Sequence, residues 1–528
     1  MLADAEREPP TPAQPGEVTS GGVSSNTSAD WPPGTVGLLG VAGMTGMAII
    51  AAGGVLGGPV GATGSVLERN IIGLGPQGTA GDVVAGISMF LGLVLVFGAW
   101  IVLGLLLRRG ASLRPLMNIT ALWSLPLLIG PPLYSRDVYS YAALGRMVNL
   151  GFDPYSYGPG VLGGSQYVEG VGGAWLHTAT PYGPLFLGMA SAIVRFAGSN
   201  VFNAIVMLRL VEVVGLVLIA VGLPKLAIAA GKDPARAVWL GVCNPLILLH
   251  FIGGAHNDAL MIGLVVVGLA AAIADRPMLG VVLCLVGAAI KAPAAVASLF
   301  IIAQAVRNAP PDRRLMTFGK LAGAGTATFV FLTWVSGVGW GWIGALGVPG
   351  KNRNLLTPTT FMAKVLSLPF GHEDFFLSAA RGFGMVATVA GVAYLLWRAP
   401  RLDLTRAVAL ALAVVVAFGP VLLPWYALWA VILLAAAGRR IERGYAIFAS
   451  VVLAFMVQPS GSSMPDLILM GTVVILSGVA LAIAYKPVRS WIRNDLAVAI
   501  DEYRSNGQIA RIAPMLRRAN PAIDRSNG

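Results

Sequence analysis

Residues able to do chemistry collect in a few short stretches of this chain. The first is Ser135-Arg136-Asp137-Val138-Tyr139-Ser140-Tyr141, which begins where an apolar segment ends at Pro131-Pro132-Leu133. A carboxylate, a guanidinium and tyrosines at the edge of an apolar segment imply that something polar is handled there. The stretch continues to residue 184 with Asp153, Tyr155, Tyr157, His177 and Tyr182. Prolines and glycines fix its path at Asp153-Pro154-Tyr155 and Thr180-Pro181-Tyr182-Gly183-Pro184. So many rings fit a structured loop that handles a ligand better than a linker. An aromatic belt at a membrane interface would also use tyrosine.

The second group is Gly253-Gly254-Ala255-His256-Asn257-Asp258, closing a run that begins Cys243-Asn244-Pro245. An imidazole, an amide and a carboxylate in a row can bind phosphate, sugar hydroxyls or a metal. His256 and Asp258 alone are too few for a closed metal site. The competing role is a polar cap, with Asn257 or Asp258 starting the next helix. The third is Lys291, between Ile290 and Ala292. A cation there needs a partner or a cavity, and an anion such as a lipid phosphate suits it, unless the chain snorkels to the interface. Gly339-Trp340-Gly341-Trp342 and Pro424-Trp425-Tyr426 add rings that stack on sugars or anchor at interfaces.

The elements that must position these groups are membrane helices. The chain is 56% hydrophobic and 11% charged, with a mean hydropathy of +0.76, whereas soluble domains carry about 25% charge. Apolar runs of about 20 residues recur, the length of a helical span, and they lack the alternation of barrel strands. Apart from Lys291, the spans read as almost free of charge. The expected spans are 36–57, 82–107, 117–133, 200–222, 237–254, 259–274, 278–290, 293–306, 318–335, 378–397, 405–421, 424–438, 445–457 and 466–484. The fold class is an all-α polytopic integral membrane protein, a bundle of about 13–14 transmembrane helices with structured outer loops. The break at Lys291-Ala292-Pro293 reads as two half-depth helices meeting at the outer face.

The net charge of +12 does not point to nucleic acid. Basic clusters such as Arg108-Arg109, Arg313-Arg314 and Arg439-Arg440 punctuate the spans and mark cytoplasmic loops. That rule places 134–199 and 336–377 outside, the first with an amphipathic or re-entrant stretch at 185–198. Residues 1–33, rich in Pro, Gly, Ser and Thr, read as a disordered cytoplasmic tail, 34–485 as the membrane domain, and 486–528 as a basic cytoplasmic tail. Cys243 and Cys284 lie inside apolar runs, which argues against a disulfide or a cysteine metal site.

The series Ser135–Tyr141, Gly151-Phe152-Asp153-Pro154-Tyr155, Thr180–Pro184, Asn244-Pro245-Leu246 with His256-Asn257-Asp258, and Leu423-Pro424-Trp425-Tyr426 resembles one family. It is that of the actinobacterial α-1,6-mannosyltransferases that build the mannan backbone of lipomannan and lipoarabinomannan, of the polytopic GT-C class. The resemblance implies a polyprenyl-phosphate-mannose donor, a lipid-anchored mannan acceptor and inverting transfer on the outer face of the plasma membrane. Asp137 matches the position of the class's catalytic base. An inverting transfer needs one carboxylate to take the acceptor's proton and cations on the departing phosphate. Arg136, His256 and Lys291 are the phosphate candidates. Tyr139, Tyr141, Asp153, Tyr155, Tyr182, Asn257, Asp258 and Trp425 are the substrate-binding candidates. The class often carries two acids close together in its first loop. Asp137 instead has Arg136 and Val138 beside it and Asp153 as the next acid, so no cofactor is assigned and a divalent cation is left open. The alternatives are a related enzyme using arabinose or another linkage, a transporter or flippase of a lipid-linked glycan, and a noncatalytic scaffold. A transporter should carry charge near mid-bilayer in broken helices, whereas most charge here lies at one face.

Overall fold

A computed structural model describes residues 34–57, 79–107, 110–198, 200–351, 353, 355 and 357–456. Helix is the regular structure of the described residues, with no strand among them. The principal helices are α1 (Thr35–Gly57), α2 (Thr79–Leu106), α3 (Leu113–Ile129), α4 (Asp137–Asn149), α5 (Pro184–Ala197), α6 (Val201–Ala229) and α7 (Pro234–Gly241). There follow α8 (Asp258–Ile273), α9 (Pro277–Ala288), α10 (Ala295–Asn308), α11 (Arg314–Ser336), α12 (Pro358–Phe370), α13 (Glu373–Arg398), α14 (Leu404–Phe418), α15 (Ala427–Ala437) and α16 (Arg440–Ala454). The protein is an all-α polytopic membrane protein. Five helices among the described residues are long and apolar enough to cross a bilayer, and a sixth crossing forms if α7 and Pro245–Gly253, bent by 44°, count as one. The remaining apolar helices are 10–17 residues long.

Glycine lets these helices touch backbone to backbone. A Cβ on Gly46 of α1 would stand 2.8 Å from the Gly92 carbonyl of α2, and one on Gly263 of α8 would stand 2.6 Å from the Gly215 carbonyl of α6. Association between apolar helices in lipid rests on such close packing, because lipid tails are as apolar as leucine.

Every expected span up to residue 457 falls on helix, 237–254 on the bent pair of α7 and Pro245–Gly253, while 466–484 and both tails lie outside the described residues. The expected break near Lys291 is present: α9 ends at Ala288 and a 3-10 turn, Ala292–Ala294, precedes α10. Three readings need correction. Residues 137–149, taken as loop, form the buried helix α4, and 358–370 form α12. The spans are also not free of charge apart from Lys291. Arg209 and Glu212 are buried in α6, 5% and 2% exposed.

The chain alternates between two ends of the bundle. The Asp233 carboxylate accepts the Gly110 N–H and caps α7, and Arg406 pairs with Glu442, which also accepts the Arg439 N–H. These contacts, with Arg443 beside Arg236 and Asp233, bring the basic segments at Arg236, Arg406 and Arg439–Arg443 to one end. Helices α3 and α9 leave that end and finish at Gly130 and Ala289. Helices α8 and α15 return to it, starting at Asp258 and Ala427. The chemistry-bearing segments therefore share the opposite end.

Candidate active site

The site is assembled from chain segments that link helix ends. After α3 the chain turns out at Pro131-Pro132, and the Leu133 N–H bonds the Gly253 carbonyl at 3.0 Å. Tyr134 takes a left-handed backbone, φ 65°, uncommon for a residue with a Cβ. The Ser135 hydroxyl then accepts the Asp137 N–H at 3.0 Å. Asp137 opens α4, where the helix dipole favours a carboxylate. It is 7% exposed. Burial pushes its pKa up, but contact with His256, the charge of Lys291 and the Ser135 hydroxyl outweigh that and hold it below the usual carboxylate value.

His256 comes from the second segment. Leu248–Gly253 forms one turn of π-helix, a rare feature that collects at functional sites, and Ala255 follows with φ 51°. The His256 N–H bonds the His250 carbonyl at 3.2 Å. This turns the His256 ring so that Nδ1 lies 3.4 Å from Asp137 Oδ2. The opposite support is Trp425, stacked on the imidazole with ring centres 3.7 Å apart and planes 19° apart. Trp425 lies in the link between α14 and α15, held where the Leu422 N–H bonds the Thr357 hydroxyl.

Lys291 neither snorkels nor stands free. Its Nζ donates to both oxygens of Asp258, at 2.9 and 2.8 Å. The Trp429 indole N–H donates to the same carboxylate at 2.6 Å, and Nζ lies 4.4 Å above the Tyr426 ring. The Thr180–Pro184 motif packs beside this pair. The Gly183 N–H bonds the Ile290 carbonyl at 2.9 Å. A Cβ on Gly183 would be 2.3 Å from the Ala289 carbonyl oxygen, so that approach requires glycine. Tyr182 meets Tyr141 edge-on at 5.1 Å.

Several polar atoms here have no hydrogen-bond partner among the described residues: the Tyr134 hydroxyl, His250 Nδ1, His256 Nε2, both amide atoms of Asn257 and Trp425 Nε1. All belong to buried residues. Buried polar groups are satisfied in the large majority of cases, and each one left bare costs about 1–3 kcal/mol. Together these atoms are donors and acceptors available to a polar ligand. Asn257 stands at the N-cap position of α8, yet its side chain makes no capping bond. Asp258, next in line, bonds Lys291 and Trp429. The cap role considered for these two residues is not the one they take.

The structure thus joins Asp137, Tyr141, Tyr182, His256, Asn257, Asp258, Lys291 and Trp425. Arg136 flanks them, half-buried and without an ion pair among the described residues. Tyr139 is buried one position to the side, its ring filling the space over Gly170. Asp153 is exposed and holds its own turn, accepting from the Tyr155 N–H and the Ser156 hydroxyl. Tyr155 donates its hydroxyl to the Tyr182 carbonyl and so braces the site from behind. Tyr134, His250 and Trp429 did not stand out in the sequence. The available signal was that His250, one of four histidines in the chain, shares a helix end with His256. Asp258 is already engaged by two donors, and among the described residues no three His, Cys, Asp or Glu side chains converge as metal ligands.

Comparison with known proteins gives consistent matches. Residues 40–307 match the sequence profile of the family described as α-(1→6)-mannopyranosyltransferase, N-terminal domain. Residues 357–486 match that of the MptB C-terminal domain. Among curated relatives, α-(1→6)-mannopyranosyltransferase A of Mycobacterium tuberculosis is 34% identical over 437 residues, covering 80% of this chain and 84% of that protein. Its Corynebacterium glutamicum namesake is 32% identical over 408 residues, covering 70% and 82%. The C. glutamicum α-(1→6)-mannopyranosyltransferase B is 28% identical over 413 residues, covering 72% and 68%. No solved structure matches.

Proposed function

The chain belongs to the α-(1→6)-mannopyranosyltransferase family, and on that premise we propose how this membrane mannosyltransferase works. It moves mannose from a polyprenyl-phosphate donor to a growing lipid-anchored mannan, inverting the anomeric carbon, on the outer face of the plasma membrane. The observation that carries this reading is the buried Asp137 carboxylate facing a cluster of polar atoms that no described protein group satisfies.

In the reaction, the acceptor's 6-hydroxyl oxygen attacks the anomeric carbon of the β-linked donor. The new C–O bond forms as the bond to the phosphate oxygen breaks, and the electron pair leaves on the polyprenyl phosphate. Asp137 takes the hydroxyl proton as its oxygen attacks. His256, at 3.4 Å, and the start of α4 keep that carboxylate ionised until the proton arrives. Arg136 is the cation free to meet the departing phosphate, where negative charge develops. His256 Nε2 is the second donor available to it. Lys291, whose own anion is Asp258, serves here only as one of the charges that keep Asp137 ionised. Tyr134, His250, Asn257 and Trp425 offer donors and acceptors to the mannosyl hydroxyls. The basic clusters at the opposite end of the bundle favour a cytoplasmic location for that end, and so an outer location for the site.

The test is Asp137→Asn in membranes supplied with polyprenyl-phosphate mannose and a short α-(1→6)-mannoside. Transfer should fall by about a hundred- to ten-thousand-fold, with donor binding and protein level retained. A variant keeping a third of wild-type turnover overturns the base assignment. Equal transfer from GDP-mannose in membranes freed of polyprenyl phosphate overturns the donor assignment.

A further inference from the structure

The two buried charges of α6 touch neither Asp137 nor His256, yet each grips a segment that carries one of them. The Arg209 guanidinium donates through Nη1 to the carbonyls of Leu127, Leu128 and Gly130, at 3.1, 3.0 and 2.8 Å. Through Nη2 it reaches the Gly253 carbonyl at 3.5 Å. The first three are carbonyls at the end of α3, which have no further helical N–H to accept because the chain turns out at Pro131. A cation at a helix C-terminus is also favoured by the dipole. The Gly253 carbonyl simultaneously accepts the Leu133 N–H. One side chain therefore joins the segment leading to Asp137 and the segment leading to His256.

Glu212, one turn along the same face of α6, grips the third edge. Its Oε2 accepts the Leu260 N–H at 3.1 Å, an unsatisfied donor in the first turn of α8. The reach is set by Gly215, where a Cβ would meet the Ala259 and Leu260 backbone at 2.3 Å. Glu212 performs the capping task that an N-cap side chain ordinarily performs. That leaves the Asn257 amide, next to His256, without a partner among the described residues. Neither Arg209 nor Glu212 forms an ion pair among the described residues.

We propose that Arg209 and Glu212 are positioning residues that act from within the membrane span to set the separation of Asp137 from His256 and Asn257. The proposal rests on Asp137 being the base. Lysine at 209 could meet one group of carbonyls, but it lacks the second nitrogen that reaches Gly253. Arg209→Lys should then let the two segments drift. Misplacement by about 1 Å costs on the order of a hundredfold in rate. We expect kcat to fall about ten- to a hundred-fold, with KM for the donor little changed. His256 is one of the groups that hold the Asp137 pKa down, so the acid limb of kcat should also move to higher pH. The groups facing Asp137 are His256, Lys291, Tyr141, Tyr182 and Tyr426, and among these His256 sits on the segment that Arg209 holds. Glu212→Leu should lose kcat in the same way, and Glu212→Gln, which keeps an acceptor for the Leu260 N–H, should restore it.

The experiment measures kcat, KM and the pH profile of full-length protein in nanodiscs, per folded molecule, for these variants beside Asp137→Asn. Wild-type kcat and pH profile in Arg209→Lys overturn the positioning role. So does a loss of activity matched by loss of folded protein with an unmoved acid limb in what remains, in both Arg209→Lys and Glu212→Leu. An active Asp137→Asn variant overturns the base assignment instead. An inactive Asp137→Asn beside a normal Arg209→Lys overturns only the positioning role.

Discussion

Replacing Lys291 with Met separates two roles that the lysine could have. The side chain is 7% exposed and shares its charge with Asp258, which is fully buried. Met keeps most of the stem's volume but removes the ammonium. Asp258 then retains only the Trp429 indole N–H, at 2.6 Å, against the full charge of a carboxylate. Removing one partner of a buried ion pair costs about 3–5 kcal/mol, because the other charge stays uncompensated. Loss of the contact above Tyr426 adds about 0.5–2 kcal/mol. The thermal midpoint of purified Lys291→Met in nanodiscs should therefore fall clearly. Adding Asp258→Asn removes the stranded charge and should recover much of the loss. Transfer measured on the stabilised double variant then isolates chemistry from stability. If Lys291 contributes only by neutralising Asp258, the double variant turns over near the wild-type rate. If its charge also serves the departing phosphate, the double variant is stable but slow, with the deficit in kcat at saturating donor. A Lys291→Met single variant with an unshifted midpoint would refute the reasoning, since no buried charge would then have been stranded.

Three further outcomes follow from the same geometry. A carboxylate base whose pKa is lowered works down to acid pH and loses activity only as pH falls through that lowered value. His256→Asn removes a lowering contact, so its kcat profile should lose activity at higher pH than wild type; an unmoved acid limb contradicts the contact. Asn257→Leu replaces an amide with no partner among the described residues, so it should hold or raise the thermal midpoint while cutting transfer. A fall in both would assign Asn257 to the fold. Single cysteines at Gly164 and Gly350, where a side chain meets nothing within 4 Å, should react with an impermeant maleimide in intact cells. A cysteine at the half-buried Ala230, just past the end of α6, should react only after lysis, and the reverse pattern would place the site in the cytoplasm.

The spans were legible because a hydrophobic run is a local property. Residues 201–229 average a hydropathy of 2.6 across their most apolar window, which hid Arg209 and Glu212 inside them: two charges scarcely change such a mean. Helix α4 was not legible, because Asp137-Val138-Tyr139-Ser140-Tyr141 is weak in helix propensity. It is helical because Ser135 starts it and Tyr141 and Leu144 pack into the core. The site's composition was largely visible as residue types. Asp137, His256, Asn257, Trp425 and Lys291 stood out in the sequence and meet in space.

What one sequence could not supply was partnership. The Lys291–Asp258 pair spans 33 residues and the Trp429–Asp258 bond spans 171, and no local pattern links them. The consequence for the reading is specific. From sequence, Lys291 was a lone cation wanting an anion, so a lipid phosphate suited it. In the fold its anion is Asp258, whereas Arg136, next to the proposed base, has no ion pair among the described residues. The phosphate is therefore better assigned to the base's side of the site than to the break between α9 and α10. That assignment shortens the path of the reaction. On the proposed mechanism, the proton acceptor and the cation for the leaving group sit on consecutive residues at one helix start. A single grip on the segment before them, such as the one Arg209 provides, orients both.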